Sequence, residues 1–173
     1  MPALQEKLQE FNETVERWIS FTGTCSRERF YFQPSQGGWS IAQVYAHLIA
    51  DTIWMSQQMQ TALLLPYHTA ETMKPEAIQM FQANSFPDLR IENPFNDPMI
   101  TPPEHQQAAA DALAHLRREI NDLFDAHGED IMHGKSAHPG LGYFTAAEWL
   151  QFATMHFRHH QRQKQRIEEE FYR

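Results

Sequence analysis

The sequence predicts an all-α protein, folded as a four-helix bundle with a long connection between the second and third helices. Four segments carry apolar residues at helical spacing, and three of them begin with a capping-box motif. No segment shows the alternation of apolar and polar residues that is typical of a half-buried strand. A chain of 173 residues, of which 42% are hydrophobic, has the length of one domain with one core, which we assign to residues 1–173.

The first helix is predicted over residues 3–22. Its apolar residues recur mostly three or four positions apart, with polar and charged residues between them. They are Leu4, Leu8, Phe11, Val15, Trp18 and Ile19. Gly23 ends the pattern, and the stretch before Trp39, which is rich in Gly and Pro near its end, predicts a loop.

The second helix begins at a capping box. The Ser40 hydroxyl can accept a hydrogen bond from the backbone N–H three residues later, and the Gln43 side chain can reach back to the backbone of Ser40. Pro66 ends the apolar stripe of this helix. Five prolines in residues 66–101 predict a long connection with at most a short helix near 76–83. The connection is long enough to return along the bundle, so that helices two and three run parallel.

Two further capping boxes mark the other long helices. The sequence T-P-P-E at 101–104 predicts the start of the third helix, which runs to about His127 with Gly128 as its C-terminal cap. The sequence T-A-A-E at 145–148 predicts the start of the fourth helix, which runs to about Phe171. A loop rich in Gly and His separates the two.

Charge and cysteine content exclude several classes of function. Subtracting 22 Asp and Glu from 14 Lys and Arg leaves a net charge of −8, so neither nucleic acid nor an anionic membrane is an expected partner. The chain has no apolar run of membrane-spanning length and no signal-peptide pattern, which predicts a cytoplasmic protein. Cys25 is the only cysteine, so the chain has no internal disulfide, and a metal ion must be held by histidines or carboxylates.

Ten histidines favour a metal site or an acid–base site, and two of them form the clearest pattern. His156 and His160 are four residues apart and therefore lie on one face of the fourth helix. They continue the apolar stripe of Trp149 and Ala153, so both are predicted to point inward. Buried imidazoles need partners, and three explanations remain: a hydrogen-bonded core pair, an acid–base pair, or two ligands of one metal ion.

His47 is the best candidate for a third ligand, because it flanks the apolar stripe in the middle of the second helix. The alternative is a boundary histidine bonded to a neighbour. Asp51 lies one turn later on the same side and is the candidate catalytic residue. It could orient His47, join the ligands or act on a metal-bound molecule, and the alternative is a solvated surface carboxylate.

The remaining candidates are weaker. His159 is rotated by about 100° from His160 around the helix axis, and we exclude it from the ligand set. His133 and His138 precede the fourth helix, either as ordinary loop residues or at the mouth of a pocket. No base stands beside Cys25 to activate it, and no phosphate-binding or serine-hydrolase motif is present.

Two motifs in the chain resemble those of the DinB/YfiT-like family of bacterial four-helix bundles. The first is G-W-S-I-A-Q-V-Y-A-H-L at 38–48, which enters helix two and contains His47. The second is F-T-A-A-E-W at 144–149, followed by the H-x-x-x-H pair and Gln161. The resemblance implies a divalent metal ion, zinc or nickel, held by these three histidines near one end of the bundle, and a homodimer.

Characterised members of that family include thiol S-transferases and thiol-dependent isomerases. The resemblance therefore implies an enzyme that uses a low-molecular-weight thiol, or water, as nucleophile towards a small electrophile. Three neutral histidines would leave the charge of the ion uncompensated and at least one position open, which suits this chemistry. The alternative is a non-catalytic bundle, stabilised by its metal ion, that acts in assembly or stress response. Structural zinc sites usually have four protein ligands, which favours the enzyme.

Overall fold

The computed structural model describes residues 3–35, 37–64, 68–87, 100–127 and 133–173. Within these ranges the chain forms six helices and one two-stranded antiparallel sheet. In chain order the elements are α1 (Leu4–Thr24), α2 (Arg27–Tyr31), α3 (Ile41–Leu64), α4 (Pro75–Ala83), α5 (Gln106–His127), β1 (Lys135–His138), β2 (Gly142–Thr145) and α6 (Ala146–Phe171). No helix in these ranges is both long and apolar enough to cross a membrane.

The four long helices α1, α3, α5 and α6 are the four predicted from the sequence, so the helical fold class is confirmed. The structure contains two of the three predicted capping boxes, each with both of its hydrogen bonds. In the first, the Ser40 N–H donates to Gln43 Oε1 (3.0 Å), and the Gln43 N–H donates to Ser40 Oγ (3.2 Å). In the other, Thr145 and Glu148 exchange the same pair of bonds at the start of α6 (2.7 and 3.2 Å).

The predicted capping box at residues 101–104 is wrong. Helix α5 begins at Gln106, and the Nδ1 atom of His105 accepts the backbone N–H of Ala108 (2.9 Å). The His105 imidazole thus does what the threonine hydroxyl was expected to do. The segment before α5 is bound to α2 instead, because the Pro103 carbonyl accepts a hydrogen bond from the Tyr31 hydroxyl (2.8 Å). The predicted C-cap of this helix, Gly128, lies outside the described residues.

Helices α1 and α3 each pack against both α5 and α6. Gln106, at the start of α5, donates to the carbonyl of Thr22 near the end of α1 (3.2 Å), so these two helices are antiparallel. Gln43, at the start of α3, donates to the carbonyl of Ile100 just before α5 (3.3 Å). Helices α3 and α5 therefore run in the same direction, as the length of the connection between them allows.

The core lies between the four long helices and is rich in aromatic residues. Its largest fully buried side chains include Trp18, Trp149, Tyr45, Phe11 and Phe157. The rings of Trp18 and Tyr45 meet edge to face at 5.0 Å, and the Tyr45 hydroxyl donates to the Trp18 carbonyl (2.6 Å). The buried phenol is therefore satisfied without water, and it ties α1 to α3.

The sequence predicted a loop before the last helix, but the structure has a hairpin of β1 and β2 there. Each strand has only four residues, too few for a periodic pattern to show in the sequence. Ser136 in β1 anchors the hairpin, because it accepts the Trp149 indole N–H (2.7 Å) and donates to the Gln58 carbonyl in α3 (2.9 Å). The hairpin thus joins the end of α3 to the start of α6.

Two short helices complete the described fold. Helix α4 matches the short helix predicted near 76–83, whereas α2 lies in a stretch that was predicted to be a loop. Five residues are too few for a helical stripe, and the signal that was missed is Ser26, whose side chain accepts the Arg29 N–H (3.2 Å).

The segment before α4 is joined to the hairpin at Gly142. The Lys74 N–H donates to the Leu141 carbonyl (2.9 Å), and the Tyr143 N–H donates to the Thr72 carbonyl (3.2 Å). Between these bonds Gly142 has a φ of +92°, and a Cβ added there would lie 2.6 Å from the Thr72 oxygen. Only glycine fits this approach without strain.

We predict that Gly142→Ala destabilises the protein by about 1–3 kcal/mol, through strain at positive φ and the clash with Thr72. Gly140→Ala is the matched control, since a Cβ there meets no atom within 4 Å. Urea unfolding of both variants measures the effect. Equal midpoints for the two variants would contradict the close approach at Gly142.

Candidate metal centre

Three buried histidines meet where α3 packs against α6. His156 Nε2 lies 3.1 Å from His47 Nε2 and 3.0 Å from His160 Nε2. The candidate ligand atoms of the three lie within 4.8 Å of one another, and the residues are 7%, 8% and 7% exposed for His47, His156 and His160. The structure thus brings together the three residues that the sequence singled out.

Helix geometry explains this convergence. His156 and His160 are one turn apart on α6 and share its inward face. Helix α3 runs antiparallel to α6, because its end contacts the hairpin that precedes α6 and its first half contacts the histidine pair. The capping box at Ser40 fixes the start of α3, and the ring of Trp39 packs against His47 at 4.9 Å.

The spacing of the three nitrogens fits a metal ion. Imidazole nitrogens bound to a tetrahedral divalent metal at about 2.0–2.1 Å lie about 3.3–3.4 Å from one another. The two observed distances are within a few tenths of an ångström of that value. A purely hydrogen-bonded trio is a poorer explanation, because a neutral imidazole has one N–H, whereas His156 Nε2 faces two nitrogens at once. The donor set, three imidazoles, suits zinc, nickel, copper and iron.

The electrostatics of the trio favour neutral imidazoles. Burial, together with the neighbouring histidines, lowers the pKa of His47 to about 4 and that of His160 to about 3. The pKa of His156 is also lowered well below its usual value, again mainly by burial. The three rings are therefore neutral at pH 7, which is the form that binds a metal ion.

Gln163 holds His160 in the orientation that a metal site needs. Its Oε1 lies 2.8 Å from His160 Nδ1, so Nδ1 carries the proton and the Nε2 lone pair faces the centre of the trio. Sequence reasoning did not identify this residue, although a polar side chain three positions after an inward histidine is a readable signal.

Asp51 stands beside the trio. Its Oδ2 lies 3.5 Å from His47 Nε2 and 3.6 Å from His156 Nε2, and its side chain is 39% exposed. The carboxylate faces the nitrogens that point into the centre, so it is placed to meet a ligand there rather than to orient His47 from behind. Burial raises the pKa of Asp51 to about 6.

The weaker candidates lie away from the centre. His159 does not join the trio: its ring packs beside His160 at 5.2 Å, and its Nδ1 lies 3.3 Å from Arg162 Nη2. His133 is exposed. The Cys25 thiol accepts the Arg29 Nε–H (3.2 Å), and burial raises its pKa, which disfavours the thiolate.

Aromatic side chains around the trio were not anticipated from the sequence. Besides Trp39, Phe86 lies 6.2 Å from the ring of His156 and 5.7 Å from that of His159. Its carbonyl accepts from Arg162 (3.1 Å), which holds this part of the connection against α6. Residue Phe86 lies in a segment without any regular pattern, so only the folded structure could place it here.

Comparison with protein-family models identifies the family of the chain. The family model of the DinB superfamily matches residues 3–163. This span contains α1, α3 and α5 completely and the part of α6 that carries His156, His160 and Gln163. Among curated proteins, none matches the chain. Because the family model covers nearly the whole sequence, the chain belongs to the DinB superfamily.

Proposed function

We propose that the protein is a metal-dependent enzyme that activates a low-molecular-weight thiol for attack on a small electrophile. The observation that carries this proposal is the meeting of three neutral, buried imidazole nitrogens beside a half-exposed carboxylate. His47, His156 and His160 are the proposed ligands of a divalent ion, zinc or nickel. A divalent ion at such a site lowers the pKa of a thiol or water that reaches it, which supplies a nucleophile near neutral pH.

Asp51 is the proposed general base. A pKa of about 6 lies close to neutral pH, where a carboxylate is both ionised and basic enough to accept a proton. In the proposed reaction the thiol proton goes to Asp51, the sulfur–carbon bond forms, and the leaving group departs with the electrons of its bond to carbon. The exposure of Asp51 gives small molecules a route to this position.

The competing function is a non-catalytic bundle that is stabilised by a metal ion. The described part of the chain supplies three clustered histidines rather than the four ligands of a typical structural zinc site. We therefore favour the enzyme. Small-molecule substrates, a homodimer and a cytoplasmic location complete the proposal, and the net charge of −8 disfavours nucleic acid.

The proposed ligand set predicts that His156→Ala and His160→Ala lose stoichiometric metal, because two remaining imidazoles hold a divalent ion far more weakly. His159→Ala should keep its metal, and so should His115→Ala, whose side chain is 63% exposed on α5. Elemental analysis of protein purified without a His tag measures this. Equal loss in all four variants would refute the assignment.

The metal-free protein should lose stability as pH falls below about 6.5, the pKa of free imidazole. The unfolded chain binds protons there at His47, His138, His156 and His160, whose folded-state pKa values are lowered, so the free energy of unfolding decreases. Protonation of Asp51 increases the free energy of unfolding over the same pH range, because the pKa of this group is raised in the folded state. The effect of the four histidines outweighs that of this single group.

Urea unfolding of chelator-treated protein at pH 7 and pH 5 checks this expectation. The midpoint should be lower at pH 5, and the exposed-histidine variant His115→Ala should show the same difference as the wild type. An identical midpoint at both pH values would show that the four histidines are not held neutral by burial.

The thiol chemistry is tested with cobalt-substituted protein and a chloro-dinitroarene as electrophile. A thiol that reaches the centre should change the near-ultraviolet spectrum, and the arene should then be consumed. Asp51→Asn should keep cobalt but react roughly 100-fold more slowly, as expected for loss of a general base. Asp122→Asn, an exposed carboxylate on α5, is the control.

Two results would overturn the proposal. If Asp51→Asn reacts like the wild type, Asp51 is not the base. If no thiol changes the cobalt spectrum and no electrophile is consumed above the His156→Ala background, the non-catalytic bundle becomes the better explanation.

A further inference from the structure

His138, at the end of β1, is surrounded by aromatic rings. Its imidazole stacks on Trp149 at 5.6 Å with an interplanar angle of 28°. Phe152, Phe144 and Trp54 lie 5.1, 5.6 and 6.0 Å from it, measured between ring centroids. The residue is half-buried, so these rings hold the imidazole in place without enclosing it completely.

The hairpin fixes which nitrogen of His138 carries the proton. The Gly140 backbone N–H donates to His138 Nδ1 (3.1 Å), so Nδ1 is the acceptor. Burial, together with the positive charge of Lys74, lowers the pKa of His138 to about 4, so the ring is neutral at pH 7. The single proton of a neutral imidazole must then be on Nε2. None of the hydrogen bonds found among the described residues uses this Nε2–H.

The half-buried rings of Trp54 and Phe86 form an aromatic surface between His138 and the histidine trio, and the ring of Phe152 below it is only 8% exposed. Phe152 packs between them: its ring is 5.1 Å from that of His138 and 4.9 Å from that of Phe86, which in turn lies 6.2 Å from His156. On the facing helix, Trp54 follows Asp51 by one turn and is half-buried. A flat molecule lying on this surface would have one end at the trio and the other at His138.

We propose that His138 determines substrate specificity by donating a hydrogen bond from Nε2 to an oxygen acceptor of a flat, aromatic electrophile. The electrophile lies along Trp54 and Phe86 with its reactive carbon towards the histidine trio. This inference rests on the proposed thiol chemistry for the reaction, but the recognition step involves only His138 and the aromatic surface.

The aromatic surface and the His138 N–H together favour a flat aromatic substrate that carries an oxygen acceptor. Aromatic side chains stack planar rings, and a neutral N–H donor selects an oxygen acceptor such as a nitro, carbonyl or carboxylate group. Lys74, exposed near His138, adds a positive charge that favours electron-rich oxygens. Such oxygens also withdraw electrons from the ring, which makes the carbon that bears the leaving group electrophilic. With a chloroarene the sulfur–carbon bond forms, chloride leaves, and the thiol proton goes to Asp51.

The first experiment uses the wild-type protein and needs no reaction. Nitrogen-15 NMR of the imidazoles should show His138 protonated at Nε2, and 1,3-dinitrobenzene, which has no leaving group, should shift that signal saturably. A His138 signal protonated at Nδ1, or one that this probe does not move, overturns the inference whatever the activity of the protein.

The second experiment uses His138→Asn, whose side-chain oxygen can still accept the Gly140 N–H while the ring N–H is removed. With a chloro-dinitroarene, KM should rise roughly 3- to 10-fold with little change in kcat, as expected for one neutral hydrogen bond. With benzyl chloride, which has no oxygen acceptor, KM should stay the same. His133→Asn, an exposed histidine in the same region, is the control for both substrates.

The outcomes separate the two proposals. If the KM of His138→Asn rises equally for the chloro-dinitroarene and for benzyl chloride, His138 only supports the fold and the inference is wrong. If the wild type binds 1,3-dinitrobenzene at His138 but consumes neither electrophile, the recognition site stands and the proposed thiol transfer fails.

Discussion

The packing of α3 against α6 is the contact on which the candidate site depends. It places one histidine of α3 opposite a pair on α6, so that His156 Nε2 lies within 3.1 Å of the Nε2 atoms of both His47 and His160. Neutral nitrogens held this close repel unless protons or a cation lie between them. The rest of the bundle must therefore hold the two helices in register, since a shift of one residue on either helix would turn one of these histidines away by about 100°.

Several bonds outside the site fix this register. The reciprocal bonds of Ser40 and Thr145 set where α3 and α6 begin. At the far end of α3, Ser136 joins the Gln58 carbonyl to the indole of Trp149, so the hairpin locks the two helices to each other. Gly142 in turn holds the segment before α4, and Phe81 of α4 packs on Phe144 of β2 at 5.0 Å, so the hairpin also positions α4, which Phe86 follows. The hairpin thus links the register of the helices to the surroundings of the site.

The sequence predicted the features that depend on repeated spacing. The long helices, the two true capping boxes and the inward faces of His156 and His160 all follow from periods of three to four residues. What it missed depends on contacts between distant segments. The four-residue strands, the ring of Phe86 beside the trio and the cap supplied by His105 have no local pattern that distinguishes them from a loop. Asp51 was placed on the correct side of α3, but its approach to two histidines at once needed the packing of α6.

Burial acts on the site in two opposite ways that together favour a cation. It lowers the pKa values of the three histidines and raises that of Asp51, because low polarity disfavours every charged form. At pH 7 the histidines are neutral and Asp51, with a pKa of about 6, is mostly ionised. Without a metal ion the site therefore holds one negative charge beside three nitrogen lone pairs. Its imidazoles do not take up protons at pH 7 to neutralise that charge, because their pKa values are lowered. A divalent cation would meet both needs.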